Sequence, residues 1–431
     1  MGVVAGKPAI GSYRAKAPRA FVVLLLGLLI LVSPSGAAAA FKPTRFDDPR
    51  PNGCDPTNCS LREAVIAANK HAGADTIRLG KGAYELTREE SAGDLNNSRS
   101  GDLDVLDGAK FLGTGKTRID GAQSSSIGRV FHLQGSLNAY VFRKLAVRRG
   151  NAGSLGGGGG ILAENIGGSL SLARVKVVAN DSGTFGGGIV SHATELRIKK
   201  STIADNHADQ RAGGILLPAT GGLGPVNATI RSSTISGNVA VSDGGGLLAD
   251  GTDIGGFPNP PQVTMVNSTV ALNEASQSGG GVRAVAGGAI TLDNVTVAHN
   301  QAERDGAGAG TGGGLSAGLA SPFTLGDVLV AGNTVGATGN GSQCAGAFTG
   351  QGGNVVQLQA GTACAITGGL SEPVDALIGP LANNGGGTKT VAVLDGSAAI
   401  GFAESCPAKD QRGIARPATD CDSGAFEHQG P

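Results

Sequence analysis

The chain has 431 residues, 75 of them glycine, with 12 Phe, 3 Tyr and no Trp. Its 34 basic and 34 acidic side chains balance, which disfavours a nucleic-acid binder, and so few aromatics leave little to stack on sugars or bases. Apolar residues still make up 40%, enough for a buried core, so wholesale disorder is excluded.

Residues 1–40 carry Lys7, Arg14, Lys16 and Arg19, then an apolar run from Phe21 to Val32, then small residues up to Ala40. The run is shorter than the roughly 20 residues a spanning helix needs, and its flanks suit signal peptidase. An exported protein is therefore expected, with no integral membrane span once this signal peptide is removed. The mature chain is mildly acidic, 34 − 4 = 30 basic against 34 acidic residues.

Residues 41–144 read as an N-terminal cap and first coils. Ser60-Leu61-Arg62-Glu63 is a capping box, and Leu61, Ala64, Val65 and Ala68 recur at helical spacing, which predicts a short amphipathic helix covering an open end. Asp102, Asp104 and Asp107 follow. Period two turns Asp102 and Asp104 outward and Leu103 and Val105 inward, and this strand face needs no ion, although Ca²⁺ would find oxygens there.

Residues 145–370 repeat a phrase: a β-branched triplet, an Asn, a polar stretch, then a glycine cluster and an aliphatic residue. The marker is Asn151, Asn180, Asn206, Asn238, Asn273, Asn300 and Asn333. Spacings of 26 to 35 residues are too uneven for propeller blades, and the glycines and β-branched triplets oppose helical repeats. The expected fold is all-β, a single-stranded parallel β-helix, right-handed by the bias of parallel crossovers. Stacked Asn amides, each donating and accepting, would form a ladder along it.

Cys54 and Cys59, Cys344 and Cys364, and Cys406 and Cys421 fall in three neighbourhoods. Export favours pairing, and local pairs are expected among 15 possible connectivities. No C-x-x-C or H-E-x-x-H suggests a metal site.

Cys59-Ser60-Leu61-Arg62-Glu63-Ala64, with Ala68-Asn69 and Asp75-Thr76-Ile77, resembles the CSLREA domain of exported bacterial β-helix proteins. Gly101-Asp102-Leu103-Asp104 and Arg118-Ile119-Asp120-Gly121 continue the likeness. Within residues 371–431, Gly379-Pro380-Leu381, Asn384-Gly385-Gly386, Thr388-Lys389-Thr390, Asp410-Gln411-Arg412-Gly413, Arg416-Pro417 and Cys421 to Glu427 are similar to a choice-of-anchor Q segment. Gly387 and Ala398 depart from it where Pro is usual, and Gly401 where Asp is usual. The repeats, including Gly287-Gly288-Ala289-Ile290, are similar to polymorphic outer-membrane protein repeats. These resemblances imply a surface or extracellular location.

The same fold carries pectate lyases and polygalacturonases, so chemistry must be read from residues. Arg197-Ile198-Lys199 resembles the R-I-K of polygalacturonases, but their N-T-D and G-H-G phrases are absent. An alternating strand with Ile198 inward explains it better. Aligning the repeats on Asn places Arg211, Asp243, Ser278 and Asp305 at one offset, a shared edge on which Arg211 and Asp243 would pair and where a ligand could bind. No catalytic residue and no cofactor is assigned. The expectation is an adhesion or envelope module without catalysis, whose partners are surface glycans or proteins of a host or neighbouring cell. The alternative is a lyase or hydrolase acting on acidic polysaccharide.

Overall fold

The computed structural model describes residues 2, 37–90, 97–124, 127–154, 156–164, 167–221, 224–252, 259–306, 310–336, 342–357, 364–368, 370–372 and 376–430. Most of the expected signal peptide lies outside them. Its last alanines do not: Ala40–Phe41 pairs in parallel with Thr76 and Ile77. Among the described residues no helix is long and apolar enough to cross a membrane.

The chain winds as a parallel β-solenoid. A first sheet stacks Asp75–Arg78, residues 109–112, residues 139–143, Ser169–Ala173, Glu195–Lys199, Asn227–Arg231, Gln262–Val266, Ala289–Asp293 and Phe323–Gly326. A second sheet includes Lys176–Val178, Thr202–Ala204, Thr234–Ser236, Thr269–Ala271, Thr296–Ala298 and Leu329–Ala331. A third runs from Leu103–Val105 through Phe131–Leu133, Ile161–Ala163 and Ile189–Ser191 to Leu315–Ala317. Identical registers stack like on like: Ile189, Ile215 and Leu247 are fully buried in one column, Val177, Ile203 and Ile235 in another. Such columns interdigitate as a close-packed interior requires.

Sharp corners join the sheets. Between the first and second, a single residue per coil adopts φ of 45° to 56°: Lys144, Arg174, Lys200, Ser232, Asn267, Asn294 and Asp327. A left-handed residue reverses the chain in one step, at a modest steric cost that the surrounding stack holds in place.

Six of the seven expected Asn residues build the ladder. Asn206 Nδ2 donates to Asn238 Oδ1 and Asn238 Nδ2 to Asn273 Oδ1, each at 2.8 Å, and the chain of amides runs from Asn180 to Asn333. Each Oδ1 also accepts the preceding Asn backbone N–H, as in Asn206 N to Asn238 Oδ1 at 3.1 Å. Asn151 is not a rung. It is half-buried and accepts from Gly153 N, while Gly150 N takes the place of an Asn by donating to Asn180 Oδ1. The marker is shifted there by one residue, which changes the direction of its side chain. At the other end Asn333 Nδ2 donates to Gln343 Oε1, a longer amide reaching in from another position. The repeated glycines follow from close stacking of the coils: a Cβ at Gly214 would collide with the Gly246 carbonyl on the next coil and stand 3.1 Å from the Asn238 amide carbon.

Helix α1, Leu61–Lys70, starts at Ser60 with both bonds of the capping box formed and buries Leu61, Ala64, Val65 and Ala68 as the pattern predicts. Arg62 is also fully buried. It forks onto Asp48 at 2.7 and 2.9 Å and donates to the carbonyls of Ser98, Gly101 and Asp102. Arg62 thus ties helix to coil.

The C-terminal segment folds back across the second sheet. Its antiparallel hairpin, Ile378–Ala382 with Thr390–Val393, packs on Ala271 and Ala298. Thr234, Thr269 and Thr296, stacked in register, bond to Lys389 O, Gln411 Oε1 and Ala425 N. Small outward side chains let the strap approach closely. Arg416, with its side chain fully buried, pairs with Glu427 at 2.7 Å and holds the carbonyls of Asp422 and Gly424. The three disulfides are local, Cys54–Cys59, Cys344–Cys364 and Cys406–Cys421.

Candidate functional site

The corner between the first and second sheets gathers positive charge. Register places Arg143, Ala173, Lys199 and Arg231 in one column at the strand ends. The left-handed corner residues Lys144, Arg174 and Lys200 form the next column. Together they surround a cleft of about 520 Å³ lined by Arg143, Lys144, Arg174, Lys199 and Lys200 with no carboxylate. All five are exposed, and among the described residues none makes an ion pair. Coils are about 4.8 Å apart, so these cations offer a ladder of anchors for a chain of anions. The column then changes character, with Asn267, Asn294, Asp293 and Asp327 continuing it along later coils. Burial, followed by repulsion from Asp327, raises the Asp293 pKa above its ordinary value.

This site was missed in the sequence. Its trace is a basic residue or pair after each first-sheet strand, visible only when coils are aligned on their corners. The R-I-K fragment meets it at one point: Ile198 is inward and buried, Arg197 pairs with Glu195, and Lys199 lines the cleft.

The edge expected from Arg211, Asp243 and Asp305 is only partly formed. Ala212 N bonds Asp243 O and Gly244 N bonds Ser278 O, so Arg211, Asp243 and Ser278 do occupy one row on successive coils. Asp305 does not join it. The insertion after Asn300 displaces it, and Thr311 takes the row position, its carbonyl accepting from Gly279 N. Nor do Arg211 and Asp243 pair with each other. Arg211 binds Asp250 at 2.7 Å and Asp243 binds Arg283 at 3.0 Å, two ion pairs that neutralise the edge internally. Desolvation lowers the Arg283 pKa despite Asp243.

A second polar cluster lies at the start of the third sheet. Leu103 and Val105 point inward as expected, but Asp104 is only 2% exposed and Asp102 8%, so their face is covered rather than solvated. Ser98 N donates to Asp104 Oδ2, and register sets His132 beside Asp104 on the next coil, with Nδ1 3.3 Å from Oδ1. His132 Nε2 lies 2.8 Å from Glu164 Oε2. Arg129 approaches Asp102 at 3.3 Å. Burial, then the Asp104 charge, pushes Asp102 up to about 7. Burial opposes the His132 charge, but hydrogen bonds to Asp104 and Glu164 outweigh it and hold the imidazole at about 9. Asp107 stands apart, accepting from Gly73 N.

No family model matches the chain, and no curated protein is similar to it. The solved structures do contain a similar fold. The crystal structure of pectate lyase Pel9A superposes with a TM-score of 0.51 over 92% of this chain and 98% of that one, at 11% identity. That likeness and the strand registers establish this chain as a parallel β-helix of the pectate lyase-like fold.

Proposed function

We propose that the chain is an exported surface or extracellular module that binds acidic polysaccharide without cleaving it. The observation that carries this is the cleft of five unpaired cations at the first corner. Stacked guanidinium and ammonium groups hold a row of carboxylates or sulfates, by forked hydrogen bonds from Arg and point charges from Lys. A hydrolase or lyase needs in addition a group placed to take or give a proton beside the bound sugar. The lining lacks the pair of carboxyls a hydrolase needs, and its lysines are the groups through which the lyase alternative is tested. The fold shared with a pectate lyase does not decide chemistry, because sites and folds vary independently. The CSLREA-like start, the leader-like first 40 residues and the three disulfides support placement outside the cytosol.

Isothermal titration with polygalacturonate and alginate tests the reading. Affinity should fall as salt rises, and the triple variant Lys144→Ala, Arg174→Ala, Lys200→Ala should weaken binding by about 10-fold or more, given the modest worth of each exposed charge. Equal binding by that variant would remove the corner from consideration. Unsaturated or reducing ends released by the wild type, and lost in Lys199→Ala, would establish the enzymatic alternative instead.

A further inference from the structure

We propose that Asp102, Asp104 and His132 form a binding site for a divalent transition ion, with Zn²⁺ the best match to the donor set. The site is independent of the basic corner. One ligand atom from each residue lies within 4.8 Å of the others, although the residues come from two different coils. The 3.3 Å between Asp104 Oδ1 and His132 Nδ1 is the edge of a tetrahedron whose metal bonds are about 2.0–2.1 Å long. Glu164 meets the other imidazole nitrogen at 2.8 Å, the second carboxylate that commonly orients a metal-binding histidine and leaves Nδ1 as the ligand atom.

One further polar group borders the ligand atoms. The side-chain amide of Gln134 stands 2.8 Å from His132 Nδ1 and 3.1 Å from Asp104 Oδ1, within reach of both ligand atoms. Turning that amide over presents its oxygen as a fourth donor. The charges agree: Asp102, Asp104, Glu164 and Glu90 act on the patch, and Arg129 is the permanent cation paired to it. Calcium is the poorer match, because it needs six or more oxygens whereas imidazole favours zinc. A bound ion would join the loop at Ser98 to three successive coils, through Asp104, His132 and Glu164.

Titrating chelator-treated mature protein with Zn²⁺, read by calorimetry and by elemental analysis after dialysis, tests the site. The expected result is one ion per chain and a Tm rise of about 3 °C at a free ion concentration roughly 100 times Kd. His132→Gln should abolish binding, and Glu164→Gln should weaken it about 10–100-fold, as loss of an orienting carboxylate does elsewhere. Circular dichroism establishes that each variant keeps its β signal. Should His132→Gln fail to fold, Asp102→Asn serves as the ligand variant with the same expectation. The proposal is overturned if the wild type takes up no Zn²⁺, if a folded ligand variant binds it equally well, or if Ca²⁺ binds more tightly than Zn²⁺.

Discussion

Asn238→Leu is expected to destabilise the solenoid by about 4 kcal/mol, the sum of several buried polar groups left without partners at about 1–3 kcal/mol each. Asn238 is fully buried and makes no contact that leucine could replace. Its Oδ1 accepts from both the backbone and side-chain nitrogens of Asn206, and its Nδ2 donates to Asn273 Oδ1 and Ile203 O. Leucine has the same branching as asparagine, but its two methyl groups can neither donate nor accept in this row. The loss should be local at first, because each coil of a solenoid contacts only its neighbours. Hydrogen exchange should show faster amides at Asn206 and Asn273 than at residues near Asn333, alongside a lower denaturation midpoint. Unchanged exchange at those amides would mean that the ladder contributes nothing to holding the coils together.

Arg62→Ala should cost about 3–5 kcal/mol, the usual penalty for removing one partner of a buried ion pair. Asp48 would keep its charge in a side chain only 2% exposed, and the carbonyls of Ser98, Gly101 and Asp102 would lose their donor. Arg62→Lys should recover little, because an ammonium cannot reproduce the fork onto Asp48 while reaching three carbonyls. The readout is limited proteolysis: cleavage between α1 and Leu103 should precede cleavage elsewhere. A variant as resistant as the wild type would show that helix packing alone seals this end. Arg62 is thus placed as a structural tie, and Arg416 is held in the same way in the C-terminal strap, between Glu427 and two carbonyls.

The difference between what could be read and what could not follows the range of the interactions. Helix α1 was legible because its cap, its apolar face and its length are all local. Asn180 to Asn333 were legible because a solenoid repeats one environment, so one residue type recurs. Asn151 misled because a shift of a single residue leaves the motif intact but turns the side chain away. Gln343 escaped because a longer side chain can enter the ladder from another position. The pairing of Arg211 depended on which carboxylate a loop of variable length brings near, and Asp250 won over Asp243. Asp104 and His132 meet only because Leu103–Val105 stacks on Phe131–Leu133.

The amino-acid order by itself determined the coil, most of its Asn ladder and the capped N-terminus, and favoured the local disulfides, because period, turn chemistry and short chain separations carry that information without reference to distant residues. Tertiary structure alone decided where charge accumulates. Lys144, Arg174 and Lys200 are unremarkable basic residues until three left-handed corners stack them, and Asp102 and Asp104 look solvent-facing until the loop at Ser98 and the next coil close over them. Electrostatic energy depends on distance through space, which the stacking of coils creates and which linear spacing does not record.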